Sequence, residues 1–161
     1  MARLVRISGP ARQTLENAIK DLKSKRARAG WFETAKYEDG TPVASVAAGN
    51  EYGSPDTPPR PFMRPTVAEK KPGWAAISRQ VAKNVVNGAQ TATQMMDLLG
   101  MKVSGDIAKT ITQLTSPPLK PATIRNRLRK RANQHTVGSL DKPLVDSGIM
   151  LGTLSHDVED I

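Results

Sequence analysis

The stretch Asn-Glu-Tyr-Gly-Ser-Pro-Asp-Thr-Pro-Pro-Arg-Pro-Phe-Met-Arg-Pro-Thr, residues 50–66, restricts this chain more than any other. Five prolines, Pro55, Pro58, Pro59, Pro61 and Pro65, fall within eleven residues. Each locks its own φ and biases the residue before it towards extended backbone. Residues 57–65 are therefore expected to run as a stiff, extended segment close to polyproline II. Pro58, Pro59, Pro61 and Pro65 have no N–H, so the segment cannot be a central strand. Phe62 and Met63 are its only large apolar side chains. Phe62 is expected to anchor the segment to a core, with Arg60 and Arg64 projecting to the other side. Composition alone also permits an ordered surface loop with no further role.

The flanking chain reads as helices and a few short strands. Pro10 suits the first turn of a helix. Residues 11–23 follow with Leu15, Ala18, Ile19 and Leu22 at helical spacing and Arg12, Glu16, Lys20 and Asp21 opposite, an amphipathic helix packed on a sheet. The basic run 23–28 reads as its solvated C-terminal end, with a binding patch as the alternative. Residues 27–37 alternate loosely and read as a strand. Glu38-Asp39-Gly40 is a turn signal, and 41–48 suits either a short helix or a strand.

A helical pattern begins at Trp74, after Lys70-Lys71-Pro72-Gly73, and continues through Ile77, Val81 and Val85 to Asn87-Gly88, which tolerate left-handed backbone. From Thr91 it returns as Met96, Leu99, Val103, Ile107, Ile111 and Leu114, spaced 3, 4, 4, 4 and 3 residues apart. This is the strongest periodicity in the chain and reads as core packing. Gly100 and Gly105 each cost such a helix about 1 kcal/mol against alanine, which predicts close approach of another backbone.

Pro117-Pro118 ends the pattern, and a basic helical turn comes after it at 125–131. Residues 133–141 read as a mobile polar loop. In Pro143-Leu144-Val145-Asp146-Ser147-Gly148, Asp146 or Ser147 can cap the segment that begins at Ile149. Residues 149–154 read as a short helix or as the start of a final strand reaching Val158.

At 161 residues the chain is expected to be one domain with a real core. Only 4% of residues are aromatic and 38% hydrophobic, so that core is thin and aliphatic. Neighbouring subunits are expected to supply some of the burial. The formal charge of +9 suits a polyanionic partner or a steered interface. Cysteine is absent, which excludes disulfides and thiol chemistry. No apolar run approaches the ~20 residues of a membrane span, and residues 1–10 lack a signal-peptide core. A cytosolic protein with no membrane association is expected.

Candidate chemistry is sparse. The two histidines, His135 and His156, stand apart. His156-Asp157 with Glu159-Asp160 reads as a solvated acidic tail in preference to a metal-ligand cluster. Ser147 lacks the surroundings of a nucleophile elbow, and no phosphate loop occurs. Nothing in the pattern brings Glu33, Glu38, Asp39 and Glu51 together. No enzyme, cofactor or metal is expected. Arg125, Arg127, Arg129, Lys130 and Arg131 could neutralise phosphates without reading sequence. Aromatics for base stacking are missing there, and a solvated or inter-subunit salt-bridging face is the alternative.

Three segments, 50–66, 98–111 and 143–151, resemble in order and spacing the tail-completion or head–tail joining (neck) proteins of tailed bacteriophages. That family includes minor tail protein Z of lambda-like phages and the virion morphogenesis protein of Mu-like phages. The carrying motifs are Asn-Glu-Tyr-Gly followed by Pro-Pro-Arg-Pro-Phe-Met-Arg-Pro, Leu98-Leu99-Gly100 followed by Gly105-Asp106-Ile107, and Pro-Leu-Val-Asp-Ser-Gly. The polar loop at 133–141 departs from the family pattern.

A single α+β domain is expected. A small, mostly antiparallel sheet would carry the N-terminal helix and the long central helices on one face. The resemblance implies a strand running into a short helix ended by Gly53 at positive φ. It also implies a ring subunit of the virion neck, a hexamer by family likeness, that contacts the tail-tube or tail-terminator protein and the head connector. The subunit and partner interface would use Tyr52, Arg60, Phe62, Arg64 and Asp146. The basic turn could line the channel through which phage DNA passes. The competing class is a basic cytosolic nucleic-acid-binding protein, for which DNA affinity would depend strongly on salt.

Overall fold

The first turn of the central helix is specified by a reciprocal cap. Gln94 N–H donates to Thr91 Oγ1 at 3.2 Å, and Thr91 N–H donates to the Gln94 side-chain oxygen at 3.0 Å. In the computed structural model, which describes residues 9–133 and 140–161, this helix spans Ala92–Gln113. Its buried stripe is Ala92, Met95, Gly100, Asp106, Ile107 and Ile111. Met95, not Met96, faces inward at the first turn, because it shares a face with Ala92 and packs on Val81 and Val85.

The fold is α+β. Among the described residues the order is α1 (Pro10–Lys23), β1 (Lys25–Gly30), α2 (Val43–Tyr52), α3 (Met63–Val86), α4 (Ala92–Gln113), α5 (Pro121–Asn133), α6 (Ile149–Gly152) and β2 (Ser155–Asp160). β1 and β2 form a two-stranded antiparallel sheet, and α4 packs against both strands and α3.

Helix α3 corrects two expectations. The extended segment stops at Phe62, so Arg64 and Pro65 belong to the first helical turn, where a missing N–H costs little. The helix also begins eleven residues before Trp74 and runs through Pro72. An interior proline costs about 3 kcal/mol or more. Packing on both sides of it offsets that cost. Thr66 Oγ1 meets Thr110 Oγ1 at 2.6 Å, and Trp74 Nε1 donates to Asp106 Oδ2 at 2.8 Å. These contacts make α3 and α4 antiparallel neighbours. α3 ends at Asn87, and Gly88 takes φ 71°.

Helix α1 sets Ala18 and Leu22 against Ile77, Val81, Val85 and Met95. It leans on α3 and α4 more than on the sheet, because their grooves offer the apolar partners, and Ile19 stays 40% exposed.

The strand expected at 27–37 lies earlier, at 25–30, and the basic run belongs to it. Arg26 and Arg28 face outward, opposite acidic residues of β2. Lys25 pairs with Asp160, and Arg28 lies 2.7 Å from Asp157 and 2.9 Å from Glu159. Arg26 also lies 2.9 Å from Glu159. Lys23 is the exposed end of α1, as expected, but residues 25–28 are neither a solvated helix end nor a free patch, and the acidic residues belong to a strand. Residues 149–160 satisfy both alternatives read from sequence, a four-residue helix followed by a strand. Gly148, at φ 79°, occupies the cap position itself, while the Ser147 hydroxyl accepts from the Ile149 N–H at 3.4 Å, in line with the capping role read for Ser147. Of the loop expected at 133–141, residues 134–139 lie outside the described residues.

The main core gathers Ala35, Val43, Ala47, Phe62, Ile107, Ile111 and Met150. Trp31 meets Phe62 edge-on at 5.7 Å and donates to the Met150 carbonyl at 2.8 Å. Among the described residues no helix is long and apolar enough to cross a membrane.

The two glycines of α4 differ. A Cβ on Gly100 would lie 2.9 Å from His156 Cδ2, whereas one on Gly105 would meet nothing within 4 Å. The close approach is therefore to a side chain, not to a backbone, and only at Gly100. Its reason is the 3.0 Å contact between His156 Nε2 and Asp97, which draws the ring across α4. Gly100→Ala is expected to destabilise the protein by about 1–3 kcal/mol through overpacking. Gly105→Ala is expected to stabilise it by up to about 1 kcal/mol. Urea unfolding of both variants measures the contrast.

Candidate functional site

Helix α2 ends where a side chain is forbidden twice. Gly53 has φ 79°, and a Cβ there would sit 2.8 Å from the Pro59 nitrogen. The expectation of positive φ at Gly53 is met. The chain then folds back through a tight loop in which Ser54 and Thr57 exchange backbone hydrogen bonds. Arg60 N–H donates to the Asn50 carbonyl at 2.7 Å, which lays the proline segment along the end of α2.

This return places the start of α3 over Glu51. Phe62, the cap residue of α3, has no side-chain oxygen to offer, and the first turn carries no acidic residue. Glu51 takes over that role from α2. Its Oε2 accepts from Phe62 N–H at 2.7 Å and Met63 N–H at 2.8 Å. Its Oε1 accepts from Arg64 N–H at 3.0 Å and Arg64 Nε at 2.9 Å. These N–H groups have no partner within the helix, and negative charge is favoured at that end. Burial by itself pushes the Glu51 carboxyl up. The backbone donors of Met63, Phe62 and Arg64, with the Arg64 guanidinium, more than offset this and hold it below the usual carboxylate range.

Outside this buried carboxylate sits an exposed pair. The Arg64 guanidinium lies 4.9 Å from the centre of the Tyr52 ring, a cation–π contact. Arg64 Nη2 also donates to the Glu51 carbonyl at 3.1 Å. Tyr52 is 68% exposed. Arg64 is thereby fixed from three sides while its outer surface stays open to solvent.

The other expected interface residues are placed differently. Arg60 does not project outward. It is buried, with Nε on the Pro117 carbonyl at 2.9 Å and Nη2 on the Pro118 carbonyl at 3.1 Å. The planar fork staples the proline segment to the turn after α4. Phe62 is buried in the core as expected and so is not part of an exposed surface. Asp146 is exposed and lies 3.3 Å from Arg127 Nε.

The basic turn is part of α5, and its cations do not share one face. Arg127 turns inward, with Nη1 on the Lys142 carbonyl at 2.9 Å and the Val145 carbonyl at 3.3 Å. Arg125 and Arg129 are exposed. The side chains of Lys130 and Arg131 lie outside the described residues.

Between these elements opens a groove of about 820 Å³, bordered by Tyr37, Asp39, Asn50, Arg60, Lys120 and Asp146. Its walls carry both charge signs. Burial, and then the nearby Asp146 and Asp39, raise the Tyr37 phenol above its ordinary value. Among the described residues no group of three or more histidines and carboxylates could hold a metal ion.

Glu51 is the residue that reading by pattern passed over. It appears in sequence as one of four scattered carboxylates. The available signal was indirect: a helix start with no capping side chain and no acid in its first turn needs an anion from elsewhere.

Glu51→Gln is expected to cost about 2–3 kcal/mol, since one charge-assisted acceptor becomes an amide facing N–H donors. A lowered folded-state pKa stabilises the fold fully above the unfolded carboxylate value of about 4.3. That contribution disappears as pH falls through the lowered value. The variant should therefore show a shallower acid loss of stability below about pH 4 than the parent, a difference that denaturant unfolding at stepped pH measures. Comparison of the chain with protein-family models, with curated proteins and with solved structures finds no match to any of them.

Proposed function

We propose that this chain is a structural ring subunit of the head-proximal end of a phage tail, completing the tail and joining it to the head. The resemblance of residues 50–66, 98–111 and 143–151 to neck proteins motivates the reading. The observation that carries it is the exposed Tyr52–Arg64 pair, held by a buried carboxylate. Tyrosine and arginine dominate the energetics of protein interfaces. A side chain already fixed loses little freedom on docking.

The mechanism is binding and geometry, with no chemical step. Closure of a ring needs two different surfaces on each subunit, repeated around one axis. Tyr52 and Arg64 supply one, and exposed Asp146 on the groove rim belongs to the same proposal. Arg60 and Phe62 serve it from inside, by fixing the segment that carries Arg64. The ring number of six comes from the family likeness alone. The tail-tube or tail-terminator protein and the head connector are the partners this reading requires, and the virion neck is its location.

Native mass of the protein, alone and mixed with its tail-tube and connector proteins, tests the proposal. A closed ring, or a monomer that enters a ring only with those partners, is expected. Tyr52→Ala should leave unfolding stability within about 0.5 kcal/mol, as for a surface substitution. It should weaken assembly at least about 30-fold, the loss expected of an interface anchor. A monomer indifferent to both partners overturns the reading.

A further inference from the structure

The formal charge of +9 must reside somewhere on the surface, and the basic run on β1 does not hold it. On β1, Lys25, Arg26 and Arg28 are matched by Asp157, Glu159 and Asp160. On α5, Arg127 is turned towards Asp146 and two carbonyls, while Arg125 and Arg129 stay exposed. The outer face of α3 is different. Lys71, Arg79 and Lys83 are all exposed there. Among the described residues none of the three has a side-chain hydrogen bond or ion-pair partner.

The only carboxylate in α3 is Glu69, and Lys70 holds it at 2.6 Å. Ideal helix geometry spreads the three cations over about 18 Å, within roughly a third of the circumference. The exposed residues between them include Pro72, Ala75 and Ala76, which keep the face low.

We infer that the outer face of α3 is a contact surface for the phosphate backbone of duplex nucleic acid. A band of unmatched cations spread along about 18 Å suits a linear polyanion better than a single anionic group. Duplex DNA carries one charge per about 1.7 Å of axis, so roughly ten phosphates pass an 18 Å face. All three cations can then be engaged at once. The face presents no aromatic side chain for stacking, so the contact positions the duplex without reading its sequence. This site is distinct from α5, where the sequence places its densest basic run. It does not depend on the ring proposal, since Lys71, Arg79 and Lys83 take no part in the Tyr52–Arg64 pair.

Fluorescence anisotropy of a labelled mixed-sequence duplex, titrated with the full chain across about 50–200 mM salt, tests it. Affinity should fall steeply with salt. Lys71→Gln/Arg79→Gln/Lys83→Gln should reduce the log–log salt slope by about 3, and Lys83→Gln alone by about 1. Arg125→Gln/Arg129→Gln should leave most of the slope in place. Absence of duplex binding at the lowest salt overturns the inference, as does a triple variant with the parent slope. Equal affinity for polyglutamate of matched charge also overturns it, and assigns the face to an acidic protein.

Discussion

The buried Glu51 carboxylate is the contact on which the rest of the structure depends. It sits at the end of α2, yet its hydrogen bonds belong to the start of α3. One side chain therefore sets the angle between two helices and the course of the proline segment between them. That course inserts Phe62 beside Trp31, Ile107 and Ile111. It also directs Arg60 to the carbonyls after α4 and holds Arg64 over Tyr52. A carboxylate accepting several backbone N–H groups is a stable way to keep a charge inside.

Prolines make this arrangement inexpensive in entropy. The segment from Pro55 to Pro61 has few conformations to lose on folding. It also has few N–H donors that need partners. The buried Arg60 guanidinium donates from Nε and Nη2 to two carbonyl oxygens, which are neutral acceptors. The segment is thus rigid because of covalent geometry, and placed because of two hydrogen-bonded side chains at its ends.

Charge is sorted by the same principle of local satisfaction. Acidic β2 faces basic β1, and each exposed pair contributes little to stability. Their common register still favours this pairing over a slipped one, because like charges opposite each other are unfavourable. Among the described residues, Lys71, Arg79 and Lys83 on α3 are unmatched within the chain, with alanines between them. The protein therefore has a neutralised ribbon at one side and an unneutralised helix at another, a division that net charge alone does not reveal.

Features whose free energy is local are legible in the order of residues. Gly53 and Gly88 take left-handed backbone where a side chain is disfavoured, Pro10 and Pro121 open helices, and the aliphatic stripe of α4 follows helical spacing. The remaining features depend on partners that lie far apart in the chain. β1 starts at Lys25 because its acidic partner is 135 residues away at Asp160. Pro72 stays within a helix because Thr66 and Trp74 bind α4 on either side of it. Arg60 turns inward because carbonyls 57 and 58 residues later receive it, and Glu51 is buried because a helix start eleven residues on supplies its donors. Local rules describe what a backbone permits. Which polar group is buried depends on whether folding brings a complementary group within hydrogen-bond reach.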